Sequence, residues 1–174
     1  MKSPVLRFNI ILALFAFVLT GCQSSPDKIK GKEATFMQFH LETNPDGTSH
    51  NQTISIYRAN PILMTVEVDA ALDEGFMQSA EIVDVDDHGG LAIKVVFNEA
   101  GTRRLDYLTT SYKGRHLGIT ARWTETRWLA APLISKRIAN GVFIFTPDAS
   151  REETERIVNG LRNVIKEVQK PYVF

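Results

Sequence analysis

Residues 150–168 read SREETERIVNGLRNVIKEV, and this stretch decides the fold class. Ser150 and Glu153 stand three positions apart. At a helix start the hydroxyl and the carboxylate satisfy backbone N–H groups that the first turn leaves open. Ile157, Val158, Leu161, Val164, Ile165 and Val168 then recur at helical spacing. Arg156, Arg162, Lys166 and Glu167 fall on the other face, and Pro171 lies just past the end. A helix with one apolar stripe must bury it, so this one is expected to lie flat on a sheet.

The sheet is legible upstream. Thr35, Met37, Phe39 and Leu41 alternate with more polar neighbours, which predicts a strand, and Asn44-Pro45-Asp46-Gly47 supplies turn chemistry after it. Ile54 and Ile56 share one face of a second strand over 53–58. Ile62, Met64, Val66 and Val68 share one face of a third. The stretch 72–78 is compatible with one helical turn. Strands over 80–85 and 91–97 are joined by Asp86-Asp87-His88-Gly89-Gly90, a hairpin signature. Asn98 can cap a helix running to Tyr112, with Leu105, Leu108 and Tyr112 on one face and Gly114 at its C-terminal end. Leu117, Ile119, Ala121 and Trp123 alternate as a strand, 127–131 is its hairpin partner, and 142–145 forms a last strand behind the Asn140-Gly141 turn. The order β-β-β, β-β-α, β-β-β-α predicts an α+β fold: a mainly antiparallel sheet with two helices packed on one face.

The first 21 residues read as an address. Lys2 and Arg7 precede an apolar run of ten residues over 10–19, the layout of a secretory signal peptide and too short for a spanning helix of roughly 20 residues. Leu19-Thr20-Gly21-Cys22 resembles the bacterial lipobox. That resemblance implies cleavage after Gly21 and acylation of Cys22, the one cysteine of the chain. The lipid bilayer is therefore an expected partner, held through the acyl chains. From residue 22 onward 18 basic residues face 20 acidic ones, so charge alone would not hold anionic lipid, whereas two or more acyl chains anchor stably. Gln23 stands where an Asp would favour retention in the inner membrane of a two-membrane bacterium, which tilts the expectation toward the outer membrane. Residues 22–32 read as a polar tether and 33–174 as one domain facing the periplasm.

Composition excludes some classes. Over the whole chain 20 Lys+Arg cancel 20 Asp+Glu, without the basic surplus of a nucleic-acid binder. Hydrophobic residues at 44% are too many for a disordered chain.

A family resemblance rests on serial order. It runs through the stretch 72–80 with Glu81-Ile82-Val83-Asp84, then 92–97 with Glu99-Ala100-Gly101. Leu108-Thr109, the strand 114–119, Leu129-Ala130-Ala131-Pro132-Leu133-Ile134, Ile138, Gly141, Phe145-Thr146 and the acidic helix leading to Leu161-Arg162 follow in turn. In this order residues 66–170 resemble the head subdomain of the first periplasmic loop of SecD, which with SecF forms a membrane accessory of protein export. The resemblance implies a periplasmic domain that handles or senses polypeptide. Three departures stand out: a longer turn over 123–127, a reduced Gly-rich return near Gly141, and no following transmembrane helices, where the family's proton coupling resides. No pump activity is therefore implied.

The search for chemistry points away from an enzyme. A calcium loop starting at Asp84 would place Gly89 correctly but needs a bidentate acid where Val95 stands, so a solvated turn is the better reading. His40, His50, His88 and His116 form no close ligand pair, and nucleophile elbows, P-loops and dinucleotide fingerprints are missing. No catalytic residue, metal or cofactor is expected. Trp123 and Trp128 flank a turn and are the candidate partner-binding residues, against a reading in which one or both bury on the sheet. The expected partner is unfolded polypeptide or an envelope protein, with no nucleic acid. An envelope hydrolase built from histidine and carboxylates is one alternative, and it requires such groups to converge in a pocket. A structural spacer is another, and it predicts no concave apolar surface.

Overall fold

The computed structural model describes residues 28–29, 32–85 and 90–170. The strands are β1 (Lys28–Ile29), β2 (Lys32–Glu33), β3 (Phe36–Leu41), β4 (Asn51–Ile56), β5 (Ile62–Glu67), β6 (Met77–Asp84) and β7 (Leu91–Phe97). After helix α1 (Glu99–Ser111) come β8 (Leu117–Arg122), β9 (Thr126–Ala130), β10 (Val142–Phe145) and helix α2 (Arg151–Val168). A single 3-10 turn at Glu74–Phe76 occupies the stretch read as one helical turn. No helix among the described residues is long and apolar enough to cross a membrane.

The α+β class holds and every strand pair is antiparallel, but the strands divide into four small sheets where one sheet is expected. Two are three-stranded, in the orders β10-β7-β6 and β3-β8-β9. The hairpins β1-β2 and β4-β5 stand apart. The chemistry of the break is local: the register shifts within β6 and within β8, and Pro132, which lacks an N–H for a ladder, stands two residues past the end of β9. The connection 131–141 then carries the chain to β7 instead of back along β9. Within the stretch expected as a tether, Lys28 pairs with Glu33 and Ile29 with Lys32.

One core joins both three-stranded sheets to both helices. Phe39 of β3 is its hinge, meeting Phe97 edge-on at 5.7 Å and Phe143 at 5.6 Å. Asn98 caps α1 through its side chain, which accepts from the Gly101 N–H. Ser150 and Glu153 form the reciprocal capping box of α2. Ile157, Val158, Leu161, Val164 and Ile165 are buried, and Val168 is half exposed at the helix end. α2 can lie this close because Gly160 faces Thr35: a Cβ there would stand 2.3 Å from the Thr35 Oγ1 and 2.9 Å from its backbone N.

The β4-β5 hairpin covers the other face of β3-β8-β9 with a small core of its own, Ile54, Ile56, Met64 and Val66 against Trp128. Only the middle of β5 lies over the sheet, so Met64 and Val66 are buried while Ile62 and Val68, expected on the same buried face, are exposed.

Candidate functional site

The expected tryptophan pair does not form a surface. Trp123 is 5% exposed and belongs to the main core, with the Arg127 guanidinium 5.3 Å from its ring centroid. Trp128 lies opposite Thr120 in register and packs on the hairpin core, edge-on to His40 at 5.1 Å. Strand alternation is the physical reason: the two rings belong to different hydrophobic clusters on either side of one hairpin. Trp123 is thus corrected from a contact residue to a core residue, and half-buried Trp128 to part of the hairpin's packing. Cys22 and His88 lie outside the described residues, as does the Asp86-Asp87-His88-Gly89 stretch of the calcium-like loop.

The remaining histidines serve structure. The buried His40 bonds through Nδ1 to the Glu67 carbonyl at 2.9 Å, and burial lowers its pKa, disfavouring the charged form. His50 sits in an exposed turn organised by Asp46, whose Oδ1 accepts from the Thr48 N–H at 2.8 Å and the Asn51 amide at 2.6 Å. His116 does meet a carboxylate: the Glu42 Oε2 accepts from its backbone N–H at 2.7 Å and lies 2.8 Å from its Nδ1. Those bonds hold the Glu42 carboxyl below its ordinary pKa against the opposing effect of burial. Neither residue lines the grooves described below. Among the described residues no group of three or more His, Cys, Asp or Glu could hold a metal ion.

A concave surface lies along β10. This strand is the outer member of β10-β7-β6, so one of its edges pairs with no strand among the described residues. The Phe97 N–H donates to the Gly141 carbonyl at 2.8 Å. In an antiparallel ladder that bond makes Phe143 and Phe145 the residues bonded to β7 and turns the N–H and C=O of Val142 and Ile144 outward. The Asn140 side chain accepts from the outward Val142 N–H at 3.1 Å. The outward N–H and C=O of Ile144 have no backbone partner among the described residues. Ile144 is 54% exposed, and the strand offers no charge, proline or bulge to guard its edge.

Two grooves adjoin this edge. The first, about 620 Å³, lies between β10 and the 132–140 connection, with Leu133, Ile134, Ile138, Val142, Phe143 and Ile144 in its wall and Lys136 and Arg137 also lining it. Arg137 is occupied by Asp106, its Nη2 donating at 2.8 Å. The second, about 400 Å³, is lined by Tyr57, Ala92, Ala130, Pro132, Ile144 and Phe145, together with Val85 and Thr146. Gly141 makes the approach to β10 possible: its φ of +69° favours glycine, and a Cβ there would stand 2.1 Å from the Thr102 Oγ1.

These residues were not singled out in the sequence. The signal that points to them is the four-residue apolar strand 142–145, bounded by Gly141 and Pro147 and arriving from a long connection. A strand delivered in that way tends to be placed last on a sheet.

The molecule is thus an α+β domain with an unguarded apolar sheet edge. No family model matches its sequence, and no curated protein matches it. Among solved structures it is similar to two of SecDF, one described as a membrane component that enhances protein export and one in a super-membrane-facing form. Each is 17% identical with a TM-score of 0.54 over 74% of this chain, and the match spans 62% of the first chain and 18% of the second. At that identity the likeness is one of fold: the domain folds like part of SecDF, and the chain spans less than two thirds of either structure.

Proposed function

We propose that this chain is a lipid-anchored protein of the bacterial cell envelope whose SecD-like domain binds extended polypeptide without catalysing a reaction, in a role connected with protein export. The observation that carries the reading is the open edge of β10 at Ile144, bordered by apolar grooves. An extended chain laid along it gains main-chain hydrogen bonds with little demand on sequence, the mode of strand addition. The likeness to SecDF, a membrane component that enhances protein export, is consistent with this reading. A spacer would need no concave apolar surface, and two are present. A hydrolase would need its acid–base pair in a groove: the Glu42–His116 pair lines neither, and the smaller concavity that Glu74 lines has no histidine in its wall. Anchoring through acylated Cys22 would face the domain to the periplasm, with the outer membrane favoured by Gln23.

The test uses the full chain in detergent micelles and a fluorescently labelled, permanently unfolded polypeptide followed by anisotropy. Binding in the micromolar range is expected, weakened at least tenfold by Ile144→Pro. That substitution removes an edge N–H that no ladder bond uses, so the fold should tolerate it. Equal binding by the variant would refute strand addition at β10. Turnover of a peptide, ester or glycan that is lost in His116→Ala would refute the non-catalytic reading.

A further inference from the structure

The two grooves are spaced along β10 in a way that specifies the polypeptide. Phe143 lines the first and Phe145 the second, and Ile144 is the wall they share. Phe143 and Phe145 are two residues apart and both point to the core face of the strand. The groove positions therefore differ by two residues, about 6.6 Å along a strand. Side chains that fall on one face of an added strand recur with that period. The grooves also differ in character. Lys136 and Arg137 line the first, whereas the lining of the second contains no charged residue.

Tyr57 is the aromatic residue that joins Phe145 in lining the second groove. Its backbone is left-handed at φ +67°, the only non-glycine with a positive φ among the described residues, and its hydroxyl accepts from the Ala131 N–H at 3.4 Å. The next residue fixes it in place. The Arg58 N–H donates to Asp148 Oδ2 at 2.8 Å, and the Arg58 guanidinium reaches Glu153 at 3.2 Å. An unfavourable backbone conformation, over-determined by its neighbours, thus sets an aromatic ring beside a free strand edge.

We infer that the site reads two apolar side chains two positions apart on an extended chain, and that Tyr57 is the contact residue for the second of them. This rests on the strand-addition reading and deepens it. The occupant is a peptide strand of the pattern apolar–any–apolar. The residue lodged beside Tyr57 must be uncharged, and the one beside Leu133 and Lys136 can border on an acidic neighbour.

The experiment measures binding of nine-residue Ser/Thr host peptides to the full chain in detergent. One peptide carries Phe at positions i and i+2, one at i and i+1, one a single Phe, and two carry the i, i+2 pair with either Phe replaced by Lys. The i, i+2 peptide should bind at least tenfold tighter than the i, i+1 peptide, and both Lys replacements should remove that advantage, one by placing a charge in the uncharged second groove and the other by facing Lys136 and Arg137. Tyr57→Gly removes the ring while relaxing the left-handed backbone, and its folding is checked by thermal melting. It should reduce the i, i+2 peptide to the level of the single-Phe peptide and leave the latter within twofold. Equal affinity for the i, i+1 and i, i+2 peptides, with both lost in Ile144→Pro, would overturn the spacing while leaving strand addition in place. No binding by any peptide would overturn both. Dimerisation abolished by Ile144→Pro, without peptide binding, would make a second copy the occupant and overturn the inference.

Discussion

Glu42 grips His116 twice, at the backbone N–H and at the ring, and so closes the end of the β3-β8 ladder where Leu41 faces Leu117. The Arg115 guanidinium adds a bond to the Glu42 carbonyl at 2.9 Å. The pair is a clamp on the sheet end. His116→Ala is expected to lower stability by about 0.5–1 kcal/mol, because both side chains are partly exposed and the backbone bond to Glu42 survives. Chemical denaturation measures this, and polypeptide binding should be unchanged in the same variant.

Acid should weaken the fold first through His40. Burial lowers its folded pKa below the ordinary 6.5, with the Glu67 carbonyl and the Asp69 charge opposing only in part. An unfolded chain therefore takes up a proton near pH 6.5 that the folded chain refuses. Stability is full above 6.5 and falls as pH drops through that range. Denaturation midpoints measured across it should slope in the parent, and the slope should be shallower in His40→Leu.

A second acid loss belongs to Glu153. The bond from Arg127, reinforced by the Ser150 N–H and opposed by partial burial, holds its carboxyl at about 2 against an ordinary 4.5. The folded value is depressed, so its contribution is complete above 4.5 and disappears as pH falls toward 2. Glu153→Gln should be less stable at neutral pH and lack this component of the acid transition.

The docking of α2 can be tested from both sides of its interface. Leu161→Ala leaves a cavity at a site with no solvent exposure and should cost roughly 2–5 kcal/mol. Gly160→Ala adds a methyl group against the Thr35 backbone and should cost about 1–3 kcal/mol. A loss below about 0.5 kcal/mol in both, the range of ordinary surface changes, would mean that the helix does not rest there.

Lipidation is tested by Cys22→Ser, which should abolish acylation and leave the precursor unprocessed or released from the membrane. Labelled palmitate incorporation and membrane fractionation read this out. Normal anchoring of the variant would refute the lipobox reading.

Local signals in the chain carried most of the fold. The capping box at Ser150 and Glu153, the Asn98 cap and the alternation through Leu117, Ile119 and Ala121 all appear where periodicity places them, because each depends on neighbours within one or two turns. What periodicity does not encode is which strands share a ladder. The division into separate sheets depends on register shifts in β6 and β8 and on the path of 131–141, which are properties of distant pairing. The site was hidden for the same reason. Trp123 and Trp128 stand out by residue type, but their faces are set by a hairpin whose other side is covered by β4-β5. Tyr57 and Ile144 are 87 positions apart, and only the fold brings them to one groove.

The Glu153 carboxylate accepts from Ser150 at the start of α2, from Arg127 in β9 and from Arg58 at the tip of the β4-β5 hairpin. Three segments far apart in the chain thus share one anion. Fraying of the first helical turn would take the shared carboxylate from two guanidinium groups, and lifting the hairpin tip would remove one of the charges that holds the carboxylate in place. Local openings that would otherwise be independent become energetically linked, and the three segments should behave as one cooperative unit in native-state hydrogen exchange. A polypeptide settling beside Tyr57 would press on that unit, and its arrival would register as altered amide protection at the start of α2, on the far side of the linkage from the groove.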